Sequence, residues 1–212
     1  MDAKEIVGHF DKMFPEAECE LEFYTPYQLL VAVILSAQCT DKRVNMVTRE
    51  LFKEYGTPEK ILSLSQEELE EKIHSCGFYH NKAKNILAAS RDIVEKFGGV
   101  VPSDMDSLCS LAGVGRKTAN VTISVAFKGA GFAVDTHVLR VSNKLGLVKC
   151  KDPNKVELLL KDYFDEKDWS RLHHQMVLFG RYKCKAIKPE CEDCPFQKIC
   201  LYYKENAKKG AK

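Results

Sequence analysis

The stretch Leu111-Ala112-Gly113-Val114-Gly115-Arg116-Lys117-Thr118-Ala119 lies between two segments with helical spacing, one ending near Cys109 and one running to Phe127. Two glycines in so short a connection predict a hairpin between helices, because glycine adopts positive φ without steric cost. The hairpin feeds into a helix N-terminus, whose uncovered N–H groups and partial positive charge favour an anion. Gly113, Val114 and Gly115 are therefore candidate DNA-phosphate-binding residues, the alternative being a plain turn between helices.

Lys117 falls in the first turn of the second helix. The helix dipole and nearby Arg116 both disfavour an ammonium ion there, which favours a free amine able to act as a nucleophile. A lysine that only contacts phosphate is an equally good interpretation of these residues.

A second candidate lies in the segment Val134-Asp135-Thr136-His137-Val138, which opens another helical pattern with Asp135 in the N-cap position. A cap needs no function. The alternative places the Asp135 carboxylate beside a positively charged sugar-like intermediate, or makes it a proton acceptor for Lys117.

Four of the nine cysteines form a C-x6-C-x2-C-x5-C run near the end of the chain: Cys184, Cys191, Cys194 and Cys200. Short loops lower the entropy cost of bringing four thiolates to one centre, so the run predicts a metal site. Only one short C-x2-C unit is present, which favours a [4Fe-4S] cluster over zinc. Structural thiols or two disulfides are the alternative.

The other five cysteines are isolated in apolar or helical sequence and are interpreted as small buried hydrophobic residues. They are Cys19, Cys39, Cys76, Cys109 and Cys150.

Charge is unevenly distributed along the 212 residues, although the net charge is only +2. Residues 1–75 contain 8 Lys and Arg against 15 Asp and Glu, whereas residues 181–212 contain 9 against 4. The cysteine run thus lies in a basic segment suited to phosphate. No signal peptide or membrane span is evident, so we expect a soluble protein of the reducing cytoplasm.

Apolar residues recur at spacings of three and four nearly throughout, and period-2 strands are absent. The pattern predicts an all-α protein of about ten short helices. Predicted helix starts are Thr25-Pro26, Thr57-Pro58, Ser65 with Glu68, Ser103 and Asp152-Pro153, and predicted stops are Gly56, Gly98-Gly99 and Gly146.

Together the hairpin, the Val-Asp-Thr-His segment and the cysteine run resemble the endonuclease III family of DNA glycosylases, within the helix-hairpin-helix superfamily. Further agreement comes from three segments: Leu35-Ser36-Ala37-Gln38-Cys39-Thr40-Asp41, Gly77-Phe78-Tyr79-His80-Asn81-Lys82-Ala83, and His173-His174 leading to Gly180-Arg181-Tyr182-Lys183-Cys184. The match spans about residues 25–203. Two departures are Ala112, where proline is frequent, and Glu190, where a basic residue is common.

The resemblance implies two lobes with the active site in the cleft between them. One would be a six-helix barrel at residues 19–130, with the helix-hairpin-helix at about 103–127. The other would join residues 1–18 to 131–212 around a [4Fe-4S] cluster held by the four cysteines.

The resemblance also implies roles for single residues. Lys117 would be the nucleophile that attacks C1′ of a flipped nucleotide, and Asp135 would assist base departure. Gln38 and Phe78 would fill the hole left by the flipped base, which offsets an unstacking cost of roughly a few kcal/mol. With Glu190 in the cysteine loop, phosphate contact there would fall to Lys185 and Lys188.

These expectations describe a bifunctional DNA glycosylase and AP lyase that removes oxidised pyrimidines from double-stranded DNA. We expect it to act as a monomer on damaged bases or AP sites, in the cytoplasm at the nucleoid and without membrane contact. The alternatives are a monofunctional mismatch or adenine glycosylase, which generally lacks the lysine, and a non-catalytic DNA-binding module.

Overall fold

The protein, a computed structural model, is described over residues 1–210, with side chains over residues 1–206. Twelve α-helices and no strands occur in that range, so the all-α prediction is confirmed. The helices are α1 (Ala3–Met13), α2 (Pro26–Ser36), α3 (Asp41–Tyr55), α4 (Pro58–Ile61), α5 (Gln66–Ile73), α6 (Tyr79–Phe97), α7 (Met105–Ser110), α8 (Arg116–Ala126), α9 (Thr136–Leu145), α10 (Pro153–Tyr163), α11 (Trp169–Leu178) and α12 (Leu201–Gly210). Short 3-10 turns cover His74–Cys76 and Glu166–Asp168, and a π-helical turn covers Phe179–Lys183.

Helix starts follow the capping residues closely. Side chains of Thr25, Thr57, Ser65 and Asp152 cap α2, α4, α5 and α10, as predicted. The prediction of Ser103 was wrong: the cap of α7 is Asp104, whose carboxylate accepts from the Ser107 N–H at 2.9 Å. An aspartate one residue later competes with a serine for the same role, and the two rank equally as caps.

Glycines end three helices where expected. Gly56 follows α3, while Gly98 and Gly146 follow α6 and α9 in the left-handed conformation, with φ of 62° and 85°. Such C-terminal glycines let the chain reverse without the strain that a Cβ would add.

The chain divides into two compact units, Cys19–Gly131 and Met1–Glu18 with Phe132–Lys212. In the first unit, α2 is buried along nearly its whole length and packs against α3, α6 and α8. A helix that is apolar all round must be enclosed by its neighbours, so α2 is the centre of this unit. Its Tyr27 hydroxyl hydrogen-bonds Ser90 of α6 at 2.7 Å, which satisfies a buried polar atom.

The second unit has its own apolar core, in which α1 packs on α11 and α9 packs on α11 and α12. Three fully buried rings lie together at its centre, with centroids of Phe10 and Phe179 5.5 Å apart and those of Phe179 and Phe196 5.4 Å apart. Phe196 lies between the last two cysteines of the run. The cysteine loop is therefore anchored in the core by an aromatic side chain.

None of the helices in the described range is both long and apolar enough to cross a bilayer.

Candidate active site and metal centre

The glycine hairpin joins α7 to α8. Gly113 has φ of 75°, and a Cβ placed there would lie 2.8 Å from the Asn85 Cβ of α6, so both backbone conformation and close packing require glycine. Gly115 does not have the positive φ that was expected. Its backbone is extended, with φ of −94° and ψ of 176°. A Cβ added at Gly115 would meet open space, so this glycine keeps the helix terminus uncovered and is not needed for the turn.

The hairpin exposes the N-terminus of α8. The Val114 N–H is used inside the turn, donating to the Leu111 carbonyl at 3.1 Å, and the Val114 side chain is buried. The first helical bond of α8 runs from the Ala119 N–H to the Gly115 carbonyl at 2.9 Å, and no side chain caps the helix. The start of α8 is therefore not covered by a side-chain cap, and an uncapped helix N-terminus attracts anions.

Lys117 is the second residue of α8, as predicted, and its side chain is exposed. Its amine makes no hydrogen bond or ion pair with any residue that the structure describes. An exposed amine at an uncapped helix terminus can reach an incoming substrate while the terminus holds an adjacent phosphate.

Asp135 is the N-cap of α9, as predicted. Its Oδ1 accepts from the N–H groups of His137 and Val138, each at 2.8 Å, and the side chain is half-buried. No hydrogen bond to Oδ2 occurs within residues 1–206, over which side chains are described. The carboxylate is therefore held in place by one oxygen and presents the other. Lys117 belongs to the unit Cys19–Gly131 and Asp135 to the other unit.

Two residues, one shortly after the end of α2 and one just before the start of α6, have an unusual backbone conformation. Gln38 and Phe78 are exposed and left-handed, with φ of 52° and 48°. Phe78 is 64% exposed, which rules out the core position that its apolarity alone would predict. Non-glycine residues held left-handed cost of the order of 1–3 kcal/mol each and cluster at functional sites. Lys188 of the cysteine loop shares this property, with φ of 51°.

The four cysteines of the run come together. All are free thiols and all line one pocket, with Cys184 and Cys200 buried and Cys191 and Cys194 half-buried. Burial raises the pKa of Cys184 to about 11. Desolvation of this kind disfavours the charged thiolate form.

Within the described residues, no three His, Cys, Asp or Glu side chains are placed to hold a single metal ion. A single zinc requires four ligands at bonding distance from one atom, whereas a cube of four irons accepts one thiolate at each corner. The four cysteines that line this pocket remain the candidate ligands of a metal centre.

Arg140 connects the start of α9 with the beginning of the cysteine loop, a role that the sequence did not predict. It donates from one Nη to the carbonyls of Gly180 at 2.8 Å and Cys184 at 3.2 Å, and it lies 3.2 Å from the His137 Nδ1. Burial lowers the pKa of His137, which favours the neutral ring beside this guanidinium. A long-range bond to carbonyl oxygens leaves no periodic signal in a sequence, so only the structure reveals it.

The basic residues of the cysteine loop are exposed but not equivalent. Lys185 forms an ion pair with Glu190, Nζ to Oε1 at 2.7 Å, and this contact lowers the pKa of Glu190. Lys188 makes no ion pair in the part of the chain that the structure describes. Glu190 is therefore ion-paired with Lys185, one of the two lysines expected to contact phosphate.

The chain is similar to known proteins over nearly its whole length. Residues 31–166 match the HhH-GPD superfamily of base excision DNA repair proteins. Endonuclease III of Bacillus subtilis is 50% identical over 99% of this chain and 98% of its own length, and that of Synechocystis is 48% identical over 93% and 91%.

Solved structures give the same result. A non-covalent endonuclease III–DNA complex aligns with a TM-score of 0.92 and 46% identity over 97% of this chain and 96% of its own. A trapped covalent endonuclease III–DNA intermediate aligns equally well, over 98% and 99%. A thermostable thymine-DNA glycosylase shares the fold, with a TM-score of 0.87 at 22% identity. The chain therefore belongs to the endonuclease III family of HhH-GPD base excision DNA repair enzymes, the DNA glycosylases and AP lyases.

Proposed function

We propose that this protein removes oxidised pyrimidines from double-stranded DNA and cleaves the resulting AP site, using Lys117 for both steps. The observation that carries the proposal is the exposed Lys117 amine, without a partner in the described residues, in the first turn of a helix whose terminus is uncapped. The DNA bound in related complexes supports the choice of partner.

In the first step the Lys117 Nζ attacks C1′ of the damaged nucleotide, and the glycosidic bond breaks with its electrons going to the departing base. Proton loss from the nitrogen and opening of the sugar ring give a Schiff base. The iminium withdraws electrons from C2′, so a C2′ proton can be removed and the 3′ phosphate expelled by β-elimination. One amine thereby accounts for both activities.

Asp135 is assigned the electrostatic and proton-transfer part of this reaction. Its Oδ1 is fixed by two N–H donors, which hold the carboxylate in one orientation at no cost during the reaction. The other oxygen would then stabilise positive charge on the sugar or accept a proton.

Cys184, Cys191, Cys194 and Cys200 would hold a [4Fe-4S] cluster. Bound there, the cluster would fix the shape of the loop that carries Lys185 and Lys188. The other assigned DNA contacts are the backbone at Gly113, Val114 and Gly115, and the exposed side chains of Gln38 and Phe78, which would replace the flipped base in the stack.

We expect the protein to bind DNA as a monomer, in the cytoplasm at the nucleoid. Identity of about half to endonuclease III over nearly the full chain disfavours both alternatives, the monofunctional glycosylase and the non-catalytic module.

Substitution of Lys117 by Gln, beside Lys149→Gln as a matched exposed-lysine control, tests the mechanism. Loss of base release and strand cleavage, with affinity for damaged duplex largely retained, is the expected result for Lys117→Gln. A purely DNA-binding protein would instead show only a modest fall in affinity and salt dependence, and that result would overturn the proposal.

A further inference from the structure

One lysine, Lys82 in the first turn of α6, contacts both segments that are assigned to DNA insertion. Its Nζ donates to the carbonyls of Leu35, in the last turn of α2, and of Cys76, each at 2.8 Å. Gln38 follows the first of these carbonyls by three residues, and Phe78 follows the second by two. The ammonium group therefore connects the two segments through the backbone just before each assigned side chain.

The backbone of Lys82 holds the same turn. Its N–H donates to the Phe78 carbonyl at 3.1 Å, which is the first helical bond of α6. The carbonyl of Cys76, two residues before Phe78, is bound by the Lys82 side chain. One residue therefore fixes the turn that presents Phe78 at both of its ends.

Both segments have backbone conformations that need such support. Gln38 and Phe78 are left-handed without being glycine, and Gly77 has φ of 65° with ψ of 156°, a region used almost only by glycine. Conformations of this kind are strained and persist only where the surrounding structure determines them. The bonds of Lys82 to the carbonyls on either side of Gly77 provide that determination for the Phe78 segment.

Stability alone does not explain a charged group at this place. Lys82 is only 5% exposed, and it forms no ion pair in the part of the chain that the structure describes. Burial lowers the pKa of its amine, because a desolvated charge costs free energy unless hydrogen bonds compensate. One compensating bond is to the C-terminus of α2, which has no basic residue in its own last turn. An apolar residue would fill the same space without joining the two carbonyls.

We infer that Lys82 is a positioning residue that keeps the Gln38 and Phe78 segments at a fixed separation, so that both side chains enter the duplex together. Lys82 is buried and acts through the backbone of the two segments. The inference rests on the proposed function, in which Gln38 and Phe78 fill the space of the flipped base. A misplacement of about 1 Å at a working site costs roughly 100-fold in rate, so loss of the bridge should slow base release by a similar factor.

Hydrogen–deuterium exchange of the free holoprotein tests the bridge itself. In Lys82→Met, peptides that contain Cys39 and Gly77 should exchange at least about tenfold faster than in the parent, because the bonds that hold both carbonyls are lost. Peptides of α8 should be unaffected. Lys84→Met removes an exposed lysine from the same helix and should leave all of these peptides unchanged. Equal exchange of the Cys39 and Gly77 peptides in Lys82→Met and the parent would overturn the inference.

Insertion is measured on an uncleavable duplex that carries a tetrahydrofuran AP-site analogue beside 2-aminopurine, whose fluorescence changes when its stacking is disturbed. The parent and Lys84→Met should change the fluorescence, and Lys82→Met should lose most of the change, as Phe78→Ala does. Single-turnover base release from thymine glycol should fall roughly 100-fold in Lys82→Met, with affinity for undamaged duplex retained. A normal signal and rate in Lys82→Met would overturn the inference. If Lys82→Met does not fold, Lys82→Gln takes its place in every measurement, because the shorter side chain cannot reach both carbonyls.

A variant without the assigned side chains separates positioning from general destabilisation. In Gln38→Ala/Phe78→Ala the groups that Lys82 positions are absent, so addition of Lys82→Met should slow base release no further. A further loss as large as that in the parent would show that Lys82 acts elsewhere and would overturn the inference. An unchanged fluorescence signal in Gln38→Ala/Phe78→Ala would count against the proposed role of these side chains, while the exchange measurement would still decide whether Lys82 holds the two segments.

Discussion

Asp135 shows how one side chain can have a structural and a chemical role at once. Asparagine caps a helix about as well as aspartate, so Asp135→Asn should change the free energy of unfolding by no more than about 0.5 kcal/mol. It removes the negative charge, however, and base release should slow by roughly 100-fold or more. Thermal unfolding and single-turnover base release measure the two effects.

The matched control is Asp152→Asn, since Asp152 caps α10 through a 2.9 Å bond to the Asn154 N–H. Both its stability and its base release should stay close to those of the parent. A normal rate in Asp135→Asn would remove Asp135 from the reaction and leave it a cap only.

Glu190 restrains phosphate contact by the cysteine loop. Glu190→Gln releases Lys185 from its 2.7 Å ion pair, so affinity for duplex DNA should rise several-fold and the slope of log K against log salt should steepen by roughly one. Fluorescence anisotropy at several salt concentrations measures both. Glu192→Gln removes the same charge from an exposed residue of the loop, and an equal effect of that control would show that the ion pair is irrelevant.

The α7–α8 hairpin contains two glycines that serve different purposes. Gly113→Ala forces a Cβ into a left-handed residue and against Asn85, so it should destabilise the protein by about 1–2 kcal/mol. Gly115→Ala meets no steric obstacle and should cost less stability, but it partly covers the terminus of α8 and should weaken DNA binding. Melting temperatures and duplex affinities of the two variants separate these roles, and equal losses of melting temperature would contradict the distinction.

The sequence predicted the starts of helices well, because the signal for a helix cap is local. Thr25, Ser65 and Asp135 cap helices through bonds to residues two or three positions on, and such bonds depend on few neighbours. The exposure of Phe78 was different, because apolarity alone predicts burial and only the resemblance indicated a surface position.

At the scale of the whole molecule, the interactions that escaped prediction connect distant parts of the chain. Arg140 reaches Gly180 and Cys184, and Lys82 reaches Leu35. Each is a charged side chain that donates to carbonyl oxygens, and every residue offers such an acceptor. The sequence therefore could not indicate the partner, whereas four clustered cysteines could indicate one another.

The most direct measurement of the central claim is borohydride trapping of the holoprotein on duplex DNA that contains either an AP site or thymine glycol, beside Lys117→Gln. Borohydride reduces a Schiff base to a stable covalent adduct. We predict adducts on both substrates with the native protein and none with Lys117→Gln. Trapping that survives in Lys117→Gln, or no adduct with the native protein on either substrate, would contradict the assignment of Lys117 as the nucleophile.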